Sequence, residues 1–103
     1  MLTHLVMWRY RDDVPQETRQ EHVAQLAALP LHIPEIESFN VGFDILRLER
    51  SYDTGLIAVF RDRAAREAYT VHSVHKNVVD FGRGISQHVA SVDFESELGV
   101  SLC

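Results

Sequence analysis

Residues 63–85, RAAREAYTVHSVHKNVVDFGRGI, decide how the chain is read. They gather an aromatic hydroxyl, Tyr69, and two imidazoles, His72 and His75, with Ser73 between the histidines. Tyr69 and His72 are three apart and so neighbours on one helix, as are His72 and His75. Tyr69 and His75 are six apart, about 240° round a straight helix, and share no face. They converge only if the helix breaks between them. Ser73 offers the break, because serine is a preferred N-cap. A second helix then starts at Val74, places His75 in its first turn, and carries Val74, Val78, Phe81 and Ile85 at helical spacing. The positive end of its dipole favours neutral imidazole at His75, the form that accepts a proton. Gly82 and Gly84 are expected to stop it.

Strands flank this broken helix. Upstream, residues 52–61, YDTGLIAVFR, alternate, with Leu56, Ala58 and Phe60 on one face and Ile57 and Val59 on the other. Asp62 then caps the first helical piece. Downstream, residues 86–95, SQHVASVDFE, put His88, Ala90, Val92 and Phe94 on one face, and residues 96–103 read as a tail. Nearer the start, residues 35–44, EIESFNVGFD, form a strand with Phe39, Val41 and Phe43 on one side and Ile36, Ser38, Asn40 and Gly42 on the other. Residues 45–50 read as a loop.

The opening strand is residues 2–10, LTHLVMWRY. Leu5 and Met7 point one way, and Leu2, His4, Val6, Trp8 and Tyr10 the other. A helix follows to Leu29, with Pro15 in its first turn and Asp13 helping to cap it. Arg19, His22, Val23, Leu26 and Ala27 mark its inner side. Residues 30–34, PLHIP, make a tight connector. His22 and His32 are expected at the surface or edge, and His88 at the edge of the core.

The order is β-α-β-β-α-β, the split-βαβ, ferredoxin-like α+β arrangement: an antiparallel four-stranded sheet with helices on one face. The central strands are apolar on both faces, yet two helices cover only one. A bare apolar face of that size is uncommon on a soluble monomer. A second copy, packed sheet against sheet as a two-fold homodimer, covers it.

Composition bounds the rest. A chain of 103 residues suits one domain over residues 1–103. Hydrophobic residues at 46% and charged residues at 24% are ordinary for a globular protein. No segment approaches the ~20 apolar residues of a membrane span. Arg9, Arg11, Asp12 and Asp13 cut short the first apolar run, so no signal peptide is expected. A net charge of −5 without a basic patch argues against a nucleic-acid partner. The one cysteine, Cys103, excludes an internal disulfide and fits a reducing cytoplasm.

Five stretches in this order resemble the stress-responsive dimeric α/β-barrel, or Dabb, family. They are THLVMWRYR at the start, IPEIESFNVG, RSYD before the third strand, the AYxxHxxH element at Tyr69, His72 and His75, and the closing VASVDFE. The resemblance runs from about His4 to about Glu95. It implies a dimeric barrel with a small-molecule cleft between sheet and helices. The family usually has proline after the first histidine of this element, and Ser73 stands there in this chain. A branch resembling olivetolic acid cyclase closes polyketide rings with a histidine and a tyrosine from this element. Carried over, that implies His75 as general base, Tyr69 as its partner and His4 lining the same cleft, with His72 the more structural member of the substrate-binding set.

Two functions follow. One is a non-enzymatic binding or stress protein, its cleft holding a small apolar or aromatic ligand or nothing. The other is a cofactor-free cyclase, lyase or isomerase, with His75 taking a proton from carbon and Tyr69 donating to the carbonyl. His4, His72 and His75 offer three nitrogens, but no cysteine or clear carboxylate completes a metal set, so neither a metal nor any other cofactor is expected. Trp8, Tyr10, Phe39 and Phe60 are expected in the core. Arg47 and Arg50 are expected in exposed ion pairs.

Overall fold

The computed structural model describes residues 1–96. In chain order the elements are β1 (Leu2–Tyr10), α1 (Gln16–Ala27), α2 (Leu29–His32), β2 (Ile36–Phe43), β3 (Thr54–Phe60), α3 (Arg63–Val71), α4 (Ser73–Ile85) and β4 (Ser86–Glu95). The strands form one antiparallel sheet in the order β2-β3-β1-β4. This is the ferredoxin-like α+β fold, with the helices on one face. Among the described residues no helix is long and apolar enough to cross a membrane.

Alternation along the strands sorts the side chains. Leu2, His4, Val6, Trp8 and Tyr10 of β1 are buried beneath the helices, together with Leu56, Ala58 and Phe60 of β3. Leu26, Leu29, Ile33 and Val78 close the core from the helical side. The opposite face is bare: Met7 is 44% exposed, Ile57 40%, Val92 52% and Phe94 45%.

Several expectations shift. Pro15 is the N-cap of α1 rather than its first turn, and its carbonyl takes the first bonds, from the Thr18 and Arg19 N–H groups. Asp13 does not cap; it accepts from Arg11 Nε at 3.3 Å. The connector begins as one helical turn, α2, which buries Leu29. A register shift between Ile36 and Ser38 places Ile36 opposite Phe60, so it joins Phe39 and Val41 on the core side. One extra residue in a strand reverses the face of everything before it. Neither Gly82 nor Gly84 stops α4, which runs to Ile85. Gly82 serves another need: a Cβ there would lie 2.8 Å from His22 Nε2 and 3.3 Å from Trp8 Nε1. His22 is not at the edge but wholly buried, whereas His32 and His88 are exposed. The expected tail lies, from residue 97 onward, outside the described residues.

Candidate active site

Asp62 starts α3 by accepting the Ala65 N–H at 2.9 Å. The helix ends at Val71, and His72 turns extended, with φ −65° and ψ 133°. Its ring Nδ1 accepts the Val74 N–H at 3.2 Å. The cap of α4 is therefore His72, and Ser73 is the first residue of the helix. An imidazole lone pair does here what a serine oxygen usually does. The change of direction swings His75 back over the end of α3. Its ring centroid lies 4.0 Å from that of Tyr69, with the planes 37° apart.

Both rings line a cavity of about 320 Å³, at the lower end of ordinary small-molecule sites. His4, Arg66, Thr70 and Arg83 give it polar groups, and Trp8, Leu26 and Val78 line it with apolar surface. His72 is not part of the wall. The structure thus brings Tyr69, His75 and His4 together and leaves His72 as a cap.

Protonation follows from partners. His75 Nδ1 lies 3.3 Å from the Thr70 carbonyl oxygen. A carbonyl only accepts, so Nδ1 carries the hydrogen and Nε2 keeps a free lone pair. Burial lowers the His75 pKa against the pull of the Thr70 carbonyl, and charge on Arg66, His4 and His72 acts in the same direction as burial. The ring is therefore a neutral base at neutral pH. Burial pushes the Tyr69 phenol up to about 12, so it holds its proton as a donor. Among the described residues the Tyr69 hydroxyl has no hydrogen-bond partner.

His4 enters from β1, whose pairing with β4 sets it opposite Asp93. Its Nδ1–H donates to Asp93 Oδ1 at 2.7 Å, and Arg66 Nε donates to the same oxygen at 2.9 Å. Arg66 also bonds Thr70 Oγ1, which donates in turn to the Arg66 carbonyl at 3.1 Å. Burial alone would raise the Asp93 carboxyl, but the bond from Arg66 and the charge and bond of His4 outweigh it and hold it below the usual range. Burial, then Arg66, lowers the His4 pKa despite Asp93. The result is an oriented neutral imidazole, Nδ1 tied back and Nε2 uncommitted.

Arg66, Thr70 and Asp93 were not singled out from sequence. Arg66 had a signal, since it precedes Tyr69 by three and shares its helix face. Asp93 becomes visible only with the β1–β4 register. Elsewhere, Tyr52 OH meets His88 Nδ1 at 2.6 Å, and Arg9 stacks on Tyr52 at 4.6 Å. Arg47 pairs with Asp53 at 3.1 Å. Among the described residues, no three His, Cys, Asp or Glu side chains are grouped to hold a metal ion.

The stress-responsive A/B barrel domain, Dabb, matches residues 2–96. The chain belongs to this family. Other Dabb-like folds superpose closely. A dimeric ferredoxin-like protein of unknown function from Thermobifida fusca has a TM-score of 0.83 at 22% identity, over 90% of this chain and 88% of that one. One from Jannaschia, also dimeric and of unknown function, has a TM-score of 0.78 at 27% identity, over 92% and 98%. A hydroxynitrile lyase from Passiflora edulis has a TM-score of 0.83 at 14% identity, over 93% and 94%, and shares the fold. No curated protein matches the chain.

Proposed function

We propose that this Dabb protein binds a small apolar carbonyl compound in the cavity and transfers a proton there with its own side chains. The single supporting observation is the pair Tyr69 and His75, their ring centroids 4.0 Å apart on the cavity wall, with the hydroxyl and Nε2 both uncommitted. His75 Nε2 takes a proton from the carbon beside the carbonyl. Tyr69 O–H donates to the oxygen that becomes the enolate, and His4 lines the same cavity. Positioned proton transfer contributes about 10²–10⁴-fold, and an aimed donor adds stabilisation where charge develops. The enolate then attacks a second carbonyl, expels a leaving group, or is reprotonated elsewhere: cyclase, lyase or isomerase. The Passiflora neighbour, a hydroxynitrile lyase, supports the fold as one that can host an enzyme. Cyclisation of a β-polyketone tests it. The native protein is expected to accelerate ring closure and His75→Ala to lose at least about 10²-fold of that acceleration; equal rates remove His75 from the reaction.

A second reading, a non-enzymatic stress-associated binder, is supported by the largely apolar wall, which holds a ligand without turnover equally well. In either case we place the protein in the cytoplasm, consistent with its single cysteine, Cys103. We also propose that the working form is a homodimer through the open sheet face. The exposed Met7, Ile57, Val92 and Phe94 support this face, and the dimeric neighbours support the assembly. Ile57→Asp is expected to give a single subunit on sedimentation, where the native chain gives a pair; a native monomer overturns the assembly.

A further inference from the structure

The cavity wall contains no acidic side chain. It does contain Arg83, in the last turn of α4, well beyond His75 along that helix. Most arginines of the chain are matched. Arg19 and Arg47 pair with Asp53, Arg61 with Glu37, Arg63 with Glu95 and Arg66 with Asp93. Arg83 makes no hydrogen bond or ion pair with any described residue. A guanidinium at the rim of an apolar cavity, with its donors unspent, is a ready partner for a planar anion.

We infer that Arg83 receives the carboxylate of a ligand whose carbonyl lies against Tyr69 and His75. This assignment rests on the cavity being a ligand site, and it narrows the ligand to an apolar keto acid. Helical rise sets the dimension. His75 and Arg83 are eight residues apart on α4, about 12 Å along its axis, and both line the cavity. The carboxylate therefore stands several bonds from the reacting carbon, with the apolar part of the ligand against Trp8, Leu26 and Val78. Arg66 is the weaker candidate for the anion, because its charge is already paired with Asp93 through Nε.

Benzoylbutyrate, an aryl ketone with a remote carboxylate, and its neutral amide, benzoylbutyramide, test this by NMR titration of the full chain. The acid is expected to bind about tenfold more tightly than the amide at low salt, with shifts in α4 and at Tyr69. Arg83→Gln is expected to erase that preference by weakening the acid and leaving the amide unchanged. Added salt is expected to shrink the preference, because Arg83 is solvent-exposed. Equal affinities in the native protein, a preference that survives Arg83→Gln, or no binding of either compound overturns the assignment. Proton transfer is read separately on the neutral ketone benzylacetone, which has no carboxylate. No preference for the acid, or one that survives Arg83→Gln, with transfer on benzylacetone intact therefore counts against the anion site alone; an Arg83-dependent preference without transfer counts against the catalytic reading alone.

Discussion

Tyr10 and His22 meet in the core, and Tyr69 and His75 meet on the wall of the cavity. The two pairs use the same side chains for opposite ends. In the first, Tyr10 OH lies 2.7 Å from His22 Nδ1 and 2.8 Å from Thr54 Oγ1, and all three residues are buried. In the second the rings sit 4.0 Å apart and tilted by 37°, and no hydrogen bond joins them. The core pair consumes its polar capacity internally, except for His22 Nε2, which is buried without a partner. The cavity pair leaves a donor and a lone pair uncommitted in two residues that line the cavity. Residue type alone does not separate a structural tyrosine and histidine from a reactive pair; uncommitted hydrogen-bonding capacity next to a cavity does.

Substitutions at each pair sharpen that contrast. The largest stability effect is expected from Gly82→Ala. Its Cβ would stand 2.8 Å from His22 Nε2, and the ring is held by Tyr10, Trp8 and Phe81. Overpacking of that kind costs about 3 kcal/mol, read as a lower urea midpoint at unchanged slope. Tyr10→Phe comes next, stranding His22 Nδ1 and Thr54 Oγ1 at about 1–3 kcal/mol while leaving any proton-transfer activity intact.

Acidity is expected to act through the core pair as well. Burial depresses the His22 pKa from 6.5 to about 4. The unfolded chain therefore takes a proton that the folded chain refuses. The stability is fully present above about pH 6.5 and is lost as pH falls toward about 4, at up to roughly 1.4 kcal/mol per pH unit. His4 and His75, both lowered, add with the same sign. Urea titrations across that window read the slope, and a flat profile contradicts a buried neutral His22. The smallest stability effect is expected from Tyr69→Phe, within about 0.5 kcal/mol, because its hydroxyl bonds to no described residue; its loss is expected in activity.

The alternation of apolar residues made the strands, their faces and the bare side of the sheet legible, because a period of two survives any loop error. The broken helix was legible too, since Tyr69 and His75 cannot share a straight one. The cap was misplaced by one residue because side-chain preferences for caps do not anticipate an imidazole. Ile36 was set on the wrong face because a bulge leaves no mark in an alternating pattern. Gly82 looks like a helix stop in the sequence because glycine is silent about which neighbour needs its missing Cβ. His22 carried a usable signal: it lies four before Leu26 on the buried stripe of α1. Arg66 carried a signal of the same kind, three before Tyr69 on α3, whereas Asp93 remained hidden because its role depends on strand register.

Proton exchange at carbon tests the central claim most directly. Benzylacetone in heavy water, followed by NMR, reports removal of the hydrogens beside its carbonyl. The native protein is predicted to accelerate their exchange, at a rate level in pH once His75 is neutral. His75→Ala is predicted to lose at least about 10²-fold, with Tyr10→Phe unchanged. Exchange no faster than in buffer, or equally fast with His75 removed, would contradict the account.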